Sequence, residues 1–510
     1  TVFFTSDPYA ALPFFPYANE STKKDLQAMW DAYVASWAEG VGDDYEGFDE
    51  KFPLPEGEEY LPFQKAGLVF AMDYASSNVL FGDDMGLGKT IQGIGFANAL
   101  KSKKVLVVCP ANLRKQWEKQ WERFSTMRLP VIHRIMKSSD GVNPLAHVTI
   151  VSYDLVHKPD ILTPLCRQKY DLLILDESHK LKTPNAKRTR AVCGGGRGIY
   201  KRMHLSKTAS RIACLSGTPS PNKPKETWTV ARMLDCVSID GLSYDRFIDT
   251  YNPSFQVAKY KVIESVKRLP ELQSRMRCNY MVRRLKDDVL DQLPPCTPEI
   301  MYVENNGKIE RALKEEKLLN FDPDMMARPD FRIDGAVSTV RREMGVAMAP
   351  RMVEHLKFLL EDEGVEKVLV GAWHHEVMDY LAEEVADSGV GSVRGGMSST
   401  AKDDAKEEFI SGKARIKNGQ RAALAEGVEG LQDVCSTAVI CEPDWVPGTN
   451  MQFMGRLHRI GQKSNVLVQF LVAEDSISEK IVSRMLEKVK VTHEVLDRKF
   501  HMASFKYEDE

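Results

Sequence analysis

Short, uninterrupted apolar runs punctuate this chain, and the stretches between them carry apolar residues at helical spacing. From residue 59 to 235 the runs read NVLF, KVLVVCP, HVTIVSY, YDLLILDE and RIACLSG. Runs of that length, rich in β-branched residues and leucine without polar alternation, predict strands buried on both faces. Helical segments separate them, so the expectation is a parallel α/β sheet. A second such pattern spans 366–475, with EKVLVGAW, TAVICEP and NVLVQFLV. Residues 236–365 hold many helix formers and few strand signals, which predicts a helical insertion and interlobe linker. The chain closes over 476–510 on the helical SISEKIVSRMLEKVKVTHEVL and a tail. Residues 1–58 differ from the rest. Paired aromatics (Phe3, Phe4, Phe14, Phe15) precede STKKDLQAMWDAYVASWAEG, a predicted helix with Ser21 as its cap. The acidic stretch from Glu39 to Glu59, opposed only by Lys51, reads as a solvated linker.

A length of 510 residues exceeds what one hydrophobic core supports and suggests about three structural units. The formal charge of −3 decides nothing about nucleic acid, because 69 basic and 72 acidic residues can be sorted onto different faces. Nine cysteines form no C-x-x-C pair, and several sit in apolar runs, as Cys109 does. Buried thiols in a reducing compartment, and no zinc site, are expected. The start TVFFTSDPYAALPFF lacks a basic flank, and no apolar run reaches the roughly 18 residues that span a bilayer. The expectation is a soluble, intracellular protein with no membrane partner.

Chemistry enters at VLFGDDMGLGKTIQGIGFANAL, from Val79 to Leu100. A buried strand runs into a glycine-rich turn and a helix, the arrangement that offers backbone amides and a helix N-terminus to phosphate. Asp83 stands where the G-x-x-x-x-G-K-[ST] pattern has its first glycine. Gly86 and Gly88 allow the tight turn, Lys89 supplies a point charge for the β- and γ-phosphates, and the Thr90 hydroxyl suits Mg²⁺. Alone, this could be a strand-to-helix turn that binds nothing. A second element narrows the reading: YDLLILDESH puts Asp176 and Glu177 at the end of a buried strand. That suits a Mg²⁺ ligand followed by a carboxylate that orients or deprotonates an attacking water. Loop, strand and acids, about ninety residues apart, together point to nucleotide hydrolysis.

DDMGLGKT, DESHKLK, LSGTP and QFMGRLHRIGQ, in that order, resemble the motor of the Swi/Snf-type family of DNA translocases in the second helicase superfamily. The resemblance covers about residues 60–490, and that family carries an acidic residue at the position of Asp83. DDMGLGKT, DESH followed by LK, and MVRRLKDDVLDQLPP resemble its annealing-helicase branch. The resemblance implies two RecA-like parallel-sheet lobes with helical insertions, and ATP with Mg²⁺ bound between them. Asp84, Met85, Gly86, Leu87, Gly88, Lys89 and Thr90 would form the ATP loop, with Gln64 reading the adenine edge. Thr90 and Asp176 would hold Mg²⁺, and Glu177 would activate water. Pro110, Ser152 and Tyr153 lie in segments that resemble DNA-backbone contacts, and LSGTP resembles the segment coupling nucleotide to DNA. Trp117 and Trp121, four apart, read as packing. Arg456 and Arg459 are three apart, so a helix would present both on one face as arginine fingers.

One segment departs from the family. A GGVGLNL run is usual there, whereas this chain reads AEGVEGLQDV, with Glu426 and Glu429 intruding near Gly427 and Gly430. Basic residues cluster in KLKTPNAKRTR, where five positive charges and no acid follow Glu177 and lead into CGGGRG. The function implied is an ATP-dependent translocase on double-stranded DNA that remodels DNA or protein–DNA complexes without extensive strand separation. A strand-separating DNA or RNA helicase shares the same core, and a DNA-binding scaffold with a residual motor is the alternative outside enzymes. A monomeric motor, with double-stranded DNA and a DNA-bound protein as partners, is expected. The compact motif set, without a chromatin-reading or nuclease domain, suits a bacterial or viral-host nucleoid, or a nucleus if the source is eukaryotic.

Overall fold

The computed structural model describes residues 15–486 apart from 16–17, 43–44, 76, 196–197, 221–222, 259–260, 265–266, 291–292, 320–334, 362, 421–423, 425–429, 445–446 and 484. Phe3, Phe4, Phe14, Glu426, Gly427, Glu429 and the end of the C-terminal helical stretch thus lie outside the described residues.

The apolar runs form the strands expected of them. The first lobe has β1 (Val79–Phe81), β2 (Val105–Cys109), β3 (Ile132–Arg134), β4 (Val148–Ser152), β5 (Tyr170–Asp176) and β6 (Ala209–Leu215). A hairpin follows, β7 (Ser254–Ala258) against β8 (Lys261–Glu264), then β9 (Met281–Val282) and β10 (Cys296–Tyr302). The second lobe has β11 (Val368–Ala372), β12 (Val390–Val393), β13 (Ile416–Gln420), β14 (Thr437–Ile440) and β15 (Val466–Val472). Seven strands pair in the order β3-β4-β2-β5-β6-β1-β9, and six in the order β10-β15-β14-β11-β13-β12. Every pairing in both sheets is parallel. Strands β2, β4, β11 and β14 are buried along their whole length, which is why they read as unbroken apolar runs. The protein is thus an α/β fold with two parallel-sheet lobes.

The segment 236–365 supplies strands to both lobes. Its β9 closes one edge of the first sheet beside β1, and its β10 runs along β15 at an edge of the second. The helix Gly335–Glu361 lays Met344, Met348, Met352 and Leu356 on the second sheet, against Val368 and Val370. A two-residue strand, and an edge strand reading CTPEIMY with a proline inside, leave little apolar periodicity in the sequence.

The N-terminal region is built onto the first lobe. A helix spans Glu20–Ala35, but its cap is Asn19, whose Oδ1 accepts from the Thr22 amide at 2.9 Å; Ser21 lies inside the first turn. Trp37 stacks under Arg277, 3.3 Å from guanidinium to ring centre, and the Ser36 carbonyl accepts from the same arginine. The acidic stretch does not float free. Phe48 stacks on Phe52 and meets Tyr60 edge-on, and the three join the core that contains Phe81 and Trp121, while the carboxylates between them face water or pair, as Glu58 does with Arg123. Among the described residues no helix is long and apolar enough to cross a membrane, and the nine cysteines are unbridged.

Candidate active site

The loop after β1 begins with the residue that broke the sequence pattern. Asp83 is fully buried, and Arg284, 1 % exposed, donates to both of its carboxylate oxygens, from Nε at 2.8 Å and from Nη2 at 2.5 Å. The Arg284 amide and the Gln92 side chain complete the shell at 3.0 and 2.8 Å. A buried carboxylate is tolerable only when so compensated. In this fold Asp83 is therefore a clamp that fastens the loop to the strand beside it.

Beyond it, Gly86 and Gly88 have φ of +87° and +76°, and the helix Lys89–Ala99 starts directly after them. The Lys89 ammonium donates to the carbonyls of Asp83 and Asp84 at 2.8 and 3.1 Å. Burial draws its pKa below the ordinary value, against the opposing charges of Glu177, Asp83, Asp84 and Asp176. Across the loop, Gly217 of LSGTP leaves no room for a side chain, since a Cβ there would lie 2.4 Å from Met85 Cγ and 3.3 Å from Lys89 Nζ.

Strand β5 delivers Asp176 and Glu177 to the same place. Trp117 Nε1 donates to Asp176 Oδ2 at 2.8 Å, the Glu177 amide donates to its Oδ1 at 3.0 Å, and the Tyr153 hydroxyl donates to its carbonyl at 2.8 Å. Burial and then the Glu177 charge push the Asp176 carboxyl upward. For Glu177 burial also pulls upward, yet the His179 hydrogen bond and charge, with Lys89 and Arg456, hold it below the usual range. Glu177 has φ +50°, ψ +49°, a left-handed conformation that a β-strand end does not otherwise require of glutamate. His179 Nδ1 sits 3.1 Å from Glu177 Oε2 and 3.1 Å from Ser216 Oγ, joining the acid to LSGTP.

The second lobe closes the cleft. Met85, Gly86, Gly88, Lys89, Thr90, Asp176 and Glu177 line it from one side, and Gln452, Gly455, Arg456 and Arg459 from the other. The two arginines do not share a helix, as their spacing suggests. The helix Pro447–Met454 ends just before Gly455, and both stand in the turn that follows. The predicted loop, acids and arginines thus meet in one cleft.

Several predicted residues lie elsewhere. Gln64, 4 % exposed, stands behind the loop, where its amide donates to the Leu87 carbonyl and its carbonyl oxygen accepts from the Leu61 amide. Leu87 is turned into the core, and Asp84 is half-buried, with the charges of Lys286 and Arg283 beside it. Pro110, Ser152 and Tyr153 have buried side chains. In KLKTPNAKRTR, Lys182 pairs with Glu226 and Arg190 stacks on Tyr200. Sequence reasoning missed Trp117, His179 and Arg284. Only Trp117 left a signal, because a buried indole N–H needs an acceptor.

Mg²⁺ fits the donors present. Among the described residues no cluster of three or more His, Cys, Asp or Glu could hold a metal alone, so such an ion would depend on Thr90, Asp176 and phosphate oxygens. A cation there would also relieve the repulsion between Asp176 and Glu177.

Residues 63–344 match the family model described as the SNF2-related domain. The SWI/SNF-related matrix-associated actin-dependent regulator of chromatin subfamily A-like protein 1 homolog of Caenorhabditis elegans is 30% identical over 449 residues, covering 86% of this chain and 62% of that protein. The mouse (Mus musculus) DNA annealing helicase and endonuclease ZRANB3 is 28% identical over 455 residues, 86% of this chain and 41% of its own length. The chain thus spans less than two thirds of these relatives. Among solved structures, the Sulfolobus solfataricus SWI2/SNF2 ATPase core in complex with dsDNA is similar over 85% of this chain and 92% of that one, at 18% identity and a TM-score of 0.39.

Proposed function

The chain belongs to the SNF2-related family, and from that premise we propose that it is an ATP-driven motor that moves along double-stranded DNA and remodels DNA or protein–DNA complexes while the strands stay paired. The observation that carries this reading is the composite cleft, in which the loop and acids of one lobe face the arginines of the other. ATP is the substrate, and Lys89 leaves its backbone carbonyls for the β- and γ-phosphates. Thr90 and Asp176 would hold Mg²⁺, which would neutralise phosphate charge. Glu177, kept ionised beside His179, orients the water and accepts its proton. Arg456 and Arg459 stabilise charge that develops on the γ-phosphate, and they do so only while the lobes are together.

Turnover then alternates closed and open lobes. A protein whose two conformations differ in grip on DNA converts that alternation into movement. Grip through phosphates needs no base readout, so stimulation should depend little on sequence and fall steeply with salt.

The test compares ATP hydrolysis with single-stranded, double-stranded and forked DNA and with RNA, followed by triplex displacement. Duplex DNA should stimulate, and a third strand should be stripped while a tailed duplex stays largely intact. Efficient unwinding of the tailed duplex, or activation by RNA and not by duplex DNA, would replace this reading with a strand-separating helicase. Binding of DNA without turnover would favour a scaffold.

A further inference from the structure

The segment from Tyr280 to Pro295 crosses from one lobe to the other, and its contacts follow the same order as its sequence. Its first residues lie along the phosphate loop: Leu80, Gly82 and Asp84 donate their amides to the carbonyls of Tyr280, Val282 and Arg284 at 2.7, 2.7 and 2.9 Å. Arg283 then donates to the carbonyls of Gly82 and Gly217 at 2.6 and 3.1 Å, and Arg284 clamps Asp83. At the far end the Pro295 carbonyl accepts from the Val466 amide of β15, and the Pro294 carbonyl lies 3.1 Å from His458 Nε2.

Lys286 stands at the crossing. It is 6 % exposed, its Cε would lie 3.6 Å from a Cβ built on Gly86, and its ammonium donates to the His458 carbonyl at 2.5 Å. On the loop side it faces the charge of Asp84. It does not line the cleft itself. His458 is the residue before Arg459 and the second after Arg456, so the lysine holds the backbone of the turn that carries both arginines.

We infer that Lys286 is a positioning residue that sets where the second lobe's arginines stand over the phosphate loop, by tying the His458 carbonyl to the strap that clamps that loop. This rests on the ATPase reading above for its kinetic consequence, and on the contacts alone for its structural one. A buried ammonium between a carboxylate and a carbonyl is satisfied only while both lobes are in place, so the contact favours the closed arrangement. Methionine would keep the stem and lose the donor. Arginine would keep a donor at similar reach.

The experiment compares wild type, Lys286→Met and Lys286→Arg, with and without Arg459→Ala. Amide hydrogen exchange of residues 456–462 in Lys286→Met should rise by about tenfold or more, with β2, β4 and β5 unchanged. For DNA-stimulated hydrolysis, kcat should fall by about tenfold while KM for ATP stays within about twofold. Lys286→Arg should stay within about threefold of wild type in both measurements. In the Arg459→Ala background, Lys286→Met should cost about threefold further rather than about tenfold, because one of the two arginines it positions is gone. Unchanged exchange in the turn, or the same kinetic loss in both backgrounds, would overturn the inference. Exchange raised across the first sheet would reduce the lysine to a general stabiliser and overturn it equally. If wild type hydrolyses no ATP, the functional reading fails while the exchange comparison still decides this one.

Discussion

Each lobe has a buried strand that runs straight into a helix N-terminus, and the two lobes use that feature differently. In the first, β1 leads into the helix Lys89–Ala99 and the turn between them opens on the cleft. In the second, β11 leads into the helix His375–Glu384, and the amides at the turn are already taken. Glu442 Oε2 accepts from the Trp373 and His374 amides at 2.7 and 2.9 Å, and its Oε1 lies 2.6 Å from His374 Nδ1. The second lobe thus fills its anion-binding turn with a carboxylate from a distant segment, whereas in the first Asp84 Oδ1 accepts from the Met85 amide at 2.9 Å and Gly86, Gly88, Lys89 and Thr90 line the open cleft. The difference fits the proposed division of labour, with ATP taken by the first lobe and the arginines presented by the second.

The largest effects should come from the open turn. Glu177→Gln keeps the shape of the side chain and removes its charge, so hydrolysis should fall by about two to four orders of magnitude while ATP still binds, measured by single-turnover kinetics and nucleotide titration. Lys89→Ala should abolish turnover with the melting curve little changed. Near-normal turnover in a folded Lys89→Ala protein would remove the first lobe from the comparison.

Next comes the clamp behind that turn. Arg284→Met strands the Asp83 carboxylate inside the first lobe, and unfolding free energy should drop by about 3–5 kcal/mol in a denaturant titration. A loss below about 1 kcal/mol would mean that water reaches Asp83.

The filled turn should respond more weakly and differently. Glu442→Gln should lower stability by about 1–3 kcal/mol without weakening ATP binding. Burial raises the Glu442 pKa, but His374 and the two amides outweigh it and hold it below its ordinary 4.5. A carboxylate lowered on folding contributes fully above its unfolded value and loses that contribution as pH falls through its folded one. The melting gap between wild type and Glu442→Gln should therefore be widest near neutral pH and shrink on acidification below 4.5. A gap that widened with acid would reverse the assignment. Smallest of all, Asn19→Ala should loosen the N-terminal helix by about 1 kcal/mol, read as faster amide exchange in its first turn.

What the sequence made legible was local. Continuous apolar runs foretold both parallel sheets, and the loop, the acid pair and the two arginines could each be read within a dozen residues. What it hid was pairing at long range. Asp83 and Arg284 are 201 residues apart, and no periodicity links them. Trp117 read as a packing residue because its spacing to Trp121 is that of a helix face, and the bond to Asp176 depends on where β5 ends. Phe52 and Tyr60 were masked by the acids around them, since charge density along a chain does not report which side chains turn inward.

Gly86 has a meaning beyond its turn. A methyl group there would lie 2.7 Å from Arg459 Cβ, on the opposite lobe. The missing side chain is therefore the spacer that fixes the closest approach of the two halves. Any substituent would act as a doorstop, propping the jaws apart by roughly the width of a methyl group, and at φ +87° it would also strain the loop that leads to Lys89. On the proposed reading, such a protein would be a motor arrested at one point of its stroke, in which the grip of the open form on DNA can be weighed by itself.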